Sequence, residues 1–99
     1  QAVEDSATVR KRVIEAYQWQ LQRQSCLNMA LSPKQLEQFA PLNEQAALIF
    51  EKAQQRLNLS ARGYHRILRV ARTIADLAQS EQIQTGHLTE ALSYRGQHH

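Results

Sequence analysis

The side chains best suited to chemistry in this chain are arginines that recur between Ser60 and Leu77. Arg62, Arg66 and Arg69 follow one another at spacings that place them on one face of a helix. Arg62 comes two residues after Ser60, a good N-cap, so its guanidinium is expected beside the positive end of the helix. A guanidinium and free backbone N–H groups together favour a phosphate group. The pattern therefore predicts an anion site at the start of this helix.

Three interpretations of this arginine helix are open from the residues alone. It is a solvated basic face, a nucleic-acid-binding helix, or a helix whose first arginine senses phosphate. Arg62 is the candidate sensor because it lies in the first turn, and Arg66, one turn on, can support it or hold a second anion. Asp76 follows Arg72 by four residues and can engage that arginine in an ion pair within the helix.

Other patterns that carry chemistry are missing from the sequence. The three glycines are isolated, so there is no glycine-rich phosphate loop, and the cysteine and histidines lack metal-ligand spacing. We therefore predict no metal site and no complete catalytic centre in this chain. The single cysteine, Cys26, cannot form an internal disulfide, which favours a reducing compartment such as the cytoplasm. No run of about 18 apolar residues occurs, so we predict no membrane span.

Length and composition favour one small helical domain. The chain has 99 residues, 42% of them hydrophobic and 21% charged, and its three glycines and two prolines give few helix breakers. A formal net charge of +3 permits contact with polyanions without requiring it. The chain begins without methionine, so we expect a fragment of a larger protein. We predict a single domain over residues 1–97, with residues 98–99 as a purification-tag remnant or a disordered tail.

Hydrophobic periodicity and helix-start signals predict an all-α bundle of four main helices and one short helix. The predicted segments are Ser6–Gln24, Ser32–Phe39, Asn43–Leu57, Ala61–Gln79 and a last helix from the cap Thr85 to Tyr94. The first helix is expected to pack through an apolar stripe made of Val9, Val13, Tyr17 and Leu21. The arginine helix is expected to pack through the face opposite its arginines, which carries Ile67, Val70, Ala71, Ile74 and Leu77.

The stretch from Leu59 to Leu77, LSARGYHRILRVARTIADL, resembles the C-terminal region of magnesium-chelatase-related AAA+ ATPases, most of all the bacterial competence-type branch. Residues 6–13, SATVRKRV, resemble the start of that region, and residues 81–95, EQIQTGHLTEALSYR, resemble its closing helix. The likeness covers nearly the whole chain. It is specific in the arginine helix and looser between Gln18 and Leu57.

The resemblance implies a helical lid that follows an ATPase core. It implies that Arg62 is the sensor-2 arginine, which approaches the γ-phosphate of ATP, and that Arg66 supports it. The implied cofactor of the parent is ATP with Mg²⁺, and the implied partners are its own AAA+ core and neighbouring subunits of a ring. Whether Arg62 acts on its own subunit's nucleotide or on a neighbour's is left open.

The resemblance also bears on what the chain does alone and what its parent acts on. The phosphate loop, the Mg²⁺ ligands and the arginine finger belong to the core, so we expect this chain neither to hydrolyse ATP nor to hold nucleotide tightly by itself. The competence-type branch implies DNA, in branch migration or recombination, as the parent's substrate, whereas the chelatases would imply metal insertion into a porphyrin. The rival classes are a stand-alone basic DNA-binding bundle and a protein-interaction module.

Overall fold

The computed structural model describes residues 5–95, and most of them are helical. Five α-helices follow in chain order: α1 (Ser6–Gln24), α2 (Pro33–Phe39), α3 (Glu44–Leu57), α4 (Ala61–Leu77) and α5 (Thr85–Arg95). A 3-10 turn over Asn28–Ala30 precedes α2, and across the described residues the only β pairing is an isolated bridge between Leu42 and Ile83. The predicted all-α architecture is confirmed. The residues predicted as a tag or tail, 98–99, lie outside the described range.

Local capping signals decide where the helices begin and end. Four N-cap side chains each accept a hydrogen bond from the backbone N–H three residues later: Asp5, Ser32, Asn43 and Ser60. At the start of α1, hydrogen bonds from Thr8 lower the pKa of the Asp5 carboxyl group. Helix α4 ends two residues earlier than predicted, because Gln79 has a φ of 59°, which a right-handed helix cannot contain.

Helix α4 is the central element, and α1, α2, α5 and the Asn28–Ala30 turn all pack against it. The larger buried apolar side chains are Leu31, Leu36, Phe50, Ile67, Leu68, Ile83 and Leu88. Phe50 of α3 stacks on Tyr64 of α4, with ring centroids 4.3 Å apart. None of the helices in the described range is long and apolar enough to cross a bilayer.

The apolar stripe predicted for α1 is not its packing face, and that prediction is wrong. Three of its members remain about half exposed: Val9 at 44%, Tyr17 at 47% and Leu21 at 50%. The face that α1 buries instead carries Ala16, Gln20 and Gln24. Polar side chains determine this orientation, because α1 must direct them to partners on α4 and on the neighbouring turn.

Asp76 is the centre of a buried polar network that joins these elements. Its carboxylate accepts two hydrogen bonds from the Arg23 guanidinium, at 2.9 and 3.1 Å, and one from the Asn28 side-chain amide at 2.9 Å. Arg72 of the same helix lies 3.1 Å from Asp76 Oδ1, so the predicted ion pair within the helix is confirmed. A carboxylate removed from water is costly unless it is paired and hydrogen-bonded, and here both conditions are met.

Arg72 extends the network to the loop between α4 and α5. Its guanidinium donates to the backbone carbonyls of Ser80 at 2.7 Å and Glu81 at 2.9 Å. Desolvation by burial lowers the pKa of Arg72, and the charge of Asp76 opposes that effect. An arginine nevertheless stays protonated in a protein. The pair therefore fixes the loop from which α5 begins.

We predict that Asp76→Asn lowers the free energy of unfolding by about 3–5 kcal/mol, because it leaves the buried Arg72 without a counter-charge. Urea unfolding followed by far-UV circular dichroism measures the change. The matched control is Glu51→Gln, which neutralises an exposed carboxylate on α3 and should shift the same quantity by no more than about 0.5 kcal/mol. Equal stabilities for the two variants would contradict a structural role for Asp76.

Candidate anion-binding groove

An open groove lies beside the N-terminal half of α4, where α5 packs against it. Its cavity volume is about 310 Å³. Residues that line it include Ser60, Arg62, Arg66, Ile67, Ala91 and Tyr94. The two arginines that the sequence identified thus lie in one concave surface that also has apolar walls, a combination common in small-molecule sites.

Arg62 and Arg66 are both exposed, and neither forms a hydrogen bond or an ion pair within residues 5–95. They lie one helical turn apart, so both guanidinium groups can reach an anion in the groove. Since neither arginine is paired with a carboxylate in the described range, both guanidinium groups are available to an anion in the groove. A planar guanidinium binds phosphate oxygens through two parallel N–H bonds, which suits this position to a phosphoryl group.

The N-terminus of α4 adds to the positive character of the groove. Ser60 Oγ accepts a hydrogen bond from the Gly63 N–H at 3.1 Å, which satisfies one of the N–H groups of the first turn. The other N–H groups of a first helical turn have no partner within the helix and carry its positive dipole end. Arg62 is the second residue of α4, so its charge and this dipole act at the same end of the groove.

The other two arginines of α4 serve the fold. Arg69 is partly buried, and its Nε donates to the Leu31 carbonyl oxygen at 2.9 Å. Arg72 is 1% exposed and is held by Asp76 and the loop after α4. The predicted basic face of Arg62, Arg66 and Arg69 is therefore wrong for Arg69, because only the first two are exposed to solvent.

The prediction that Val70 lies opposite the arginines is also wrong. Val70 is only partly buried and lines the groove together with Arg62 and Arg66. Residues spaced by four along a helix share a face, so Val70 follows the two arginines on the same side. The packing of Ile67 and Ala71 in the core is confirmed.

Tyr94 was not identified as a site residue from the sequence, and α5 brings it to the groove. Its hydroxyl donates to Glu90 Oε2 at 2.8 Å, and this hydrogen bond to a carboxylate raises the pKa of the phenol. The spacing of Glu90 and Tyr94 could have indicated their pairing, but not the helix that Tyr94 would face. In the part of the chain that the structure describes, no three His, Cys, Asp or Glu residues come together as metal ligands.

The described residues form an all-α bundle whose central helix, α4, is capped by Ser60 and exposes its first two arginines. The family described as magnesium chelatase, subunit ChlI C-terminal, matches residues 3–95, and the chain belongs to this family. The chain is 47% identical over 92 residues to competence protein ComM of Haemophilus influenzae. It is 46% and 45% identical, over the same length, to the YifB proteins of Escherichia coli and Salmonella typhimurium. Each match covers 93% of this chain and 18% of the relative, so the chain spans less than a fifth of these relatives.

We predict that Arg62→Ala and Arg66→Ala each change the free energy of unfolding by less than about 0.5 kcal/mol, because both side chains are exposed and unpaired. Arg72→Ala should cost at least about 3 kcal/mol, because it leaves Asp76 short of a buried counter-charge and removes two hydrogen bonds to the loop. Chemical denaturation of the three variants tests this distinction between exposed and structural arginines. A loss above about 1.5 kcal/mol for Arg62→Ala would indicate a structural arginine instead of a ligand-binding one.

Proposed function

We propose that this chain is the helical lid of a magnesium-chelatase-related AAA+ ATPase and that Arg62 contacts the γ-phosphate of ATP. The observation that carries the proposal is an exposed, unpaired arginine in the first turn of α4, facing a groove of about 310 Å³. Membership of the chelatase C-terminal family supports a lid-type role. Since the relatives are more than five times longer than the matched region, the ATPase core is proposed to lie outside these residues.

The chemistry of Arg62 follows from the charge that phosphoryl transfer places on the γ-phosphate oxygens. A guanidinium aimed at those oxygens stabilises the transition state and loses its partner when phosphate leaves. Arg66 lies about 6 Å further along the helix axis and is proposed to support Arg62 or hold a second phosphate oxygen. ATP and its Mg²⁺ belong to the parent, in which the core supplies the metal ligands and most nucleotide contacts.

The lid role requires that a change at the nucleotide move the whole domain. A contact that exists with ATP and not with ADP shifts the balance between two lid positions. Helix α4 transmits such a shift well, because the Asp76 network fixes α1 and the α4–α5 loop to it. We propose that the domain moves as one body against its own AAA+ core or a neighbouring subunit of a ring.

For the parent we propose DNA as the substrate, in branch migration or recombination, and the cytoplasm as its compartment. The substrate is what the resemblance to the competence-type branch implies, and the name of one relative, competence protein ComM, agrees with that branch. A stand-alone DNA-binding bundle is less favoured, because Arg69 and Arg72 are engaged within the fold. The two exposed arginines of α4 alone give only a small sequence-independent affinity for a polyanion.

We predict that Arg62→Ala in the full-length protein lowers the ATP turnover number about a hundredfold, as expected for loss of one preorganised donor to transition-state charge. Steady-state phosphate release at saturating ATP measures it. The matched control is Arg56→Ala, which removes an exposed arginine from α3 and should leave turnover within twofold of the unchanged protein. Unchanged turnover in Arg62→Ala would leave a protein-interaction module as the better assignment.

A further inference from the structure

A second groove, which we call the α1–α4 trough, continues from the arginine groove along α4. Its cavity volume is about 230 Å³. The apolar residues that line it are Tyr17, Leu27, Met29, Val70 and Ile74. Val70 also lines the arginine groove, and Ile74 also lines a further cavity beside Val9 and Leu77. The arginines and the trough therefore form one continuous surface of the domain.

The trough combines apolar character with high exposure. Met29 is 64% exposed, Tyr17 47% and Leu27 39%. Single exposed apolar residues are common, but a contiguous set indicates an interaction site. Its members come from α1, from the turn after it and from α4, so the patch is a product of packing and not of one amphipathic helix.

The trough also contains a buried hydrogen-bond donor that has no acceptor among the described residues. Gln20 lines it, is 2% exposed, and has no hydrogen-bond partner for its side-chain Nε2. The orientation of this amide is fixed, because Gln20 Oε1 accepts the Asn28 backbone N–H at 2.8 Å. A buried N–H₂ group that lacks a partner is costly. The Nε2 atom has almost no accessible surface, so an acceptor reaches it only when a side chain that lines the trough moves aside.

We propose that the α1–α4 trough docks an apolar segment of the proposed AAA+ core, which we call the ATPase body. This segment inserts a hydrophobic side chain and offers a backbone carbonyl to Gln20 Nε2. The inference rests on the proposed function, because it takes the body that presents ATP to Arg62 as the occupant. Continuity of the two surfaces favours this choice: Val70 lies only about 12 Å along α4 from Arg62. One interface of ordinary size, about 800 Å² on each partner, covers both.

Two further observations favour the body over a separate partner. More than four-fifths of each relative lies outside the matched region, so ample chain is available to cover the patch. Arg10 is exposed two helical turns before Tyr17 on the same side of α1. An occupying segment that extends along α1 is therefore expected to carry an acidic residue opposite Arg10.

Hydroxyl-radical footprinting of the full-length protein tests the docking without a substitution. The oxidation rates of Met29 and Tyr17 in the native protein should be at least about fivefold lower than in the urea-unfolded protein. Leu48 is the internal control, because it is 56% exposed on α3 and should be slowed by less than about twofold. If the oxidation rates of Met29 and Tyr17 in the native protein, each relative to the unfolded protein, fall no more than that of Leu48, the trough is open and the proposal is wrong.

A photo-crosslinking amino acid in place of Met29 identifies the occupant. We expect crosslinks to a peptide of the ATPase body, whereas crosslinks to residues 5–95 of a second copy, or to another protein, would overturn the proposal. Met29→Glu should abolish the protection of Tyr17, and Leu48→Glu should not. Arg62→Ala separates the two proposals. Unchanged turnover contradicts the phosphate contact. The docking surface still stands if Met29 stays protected in that variant and the crosslinker at position 29 still reaches the ATPase body.

Discussion

The buried Asp76 carboxylate is the interaction on which the arrangement of this domain depends. It binds Arg23 of α1, Asn28 of the following turn and Arg72 of its own helix, and Arg72 in turn holds the loop that leads to α5. A buried carboxylate tolerates no loss of these partners, because its desolvation is offset only while all of them are present. The requirement fixes the rotation of α1 about its own axis. Gln20, Arg23 and Gln24 face inward, and Val9, Tyr17 and Leu21 remain at the surface.

Helix α4 divides its arginines between two tasks by position. The first two lie before the helix is fully enclosed, and they remain exposed in a groove beside α5. The last two lie among the other elements, where each finds carbonyl or carboxylate oxygens of the fold. A single amphipathic helix thus holds the domain together at one end and presents two unpaired arginines at the other. The proposed phosphate contact and the rigidity needed to transmit it come from the same element.

The same constraint accounts for the surface that surrounds the arginines. By directing the polar face of α1 to Asp76, the network leaves Tyr17 and Met29 beside Val70, which also lines the arginine groove. An apolar trough next to the proposed phosphate-binding groove suits the proposed lid role, because one docked partner can fill both. The proposed function and the proposed docking surface are therefore two consequences of one packing arrangement, although they stand on different residues.

The sequence by itself determined the five helices, the N-caps Ser32, Asn43 and Ser60 and the two candidate arginines, because these depend on residues within a few positions of one another. The predicted cap Thr85 is instead the first residue of α5. Ser60 and Arg62 are neighbours along the chain, so their common helix end follows from local rules. Tertiary structure alone decided the face of α1 that is buried, the internal roles of Arg69 and Arg72, and the place of Tyr94 in the groove. The partners that set α1 are far apart: Arg23 and Asp76 are separated by 53 positions, and Asn28 and Asp76 by 48. Hydrophobic periodicity records only the apolar side of a helix, so it could not show that a distant carboxylate would draw the polar side inward.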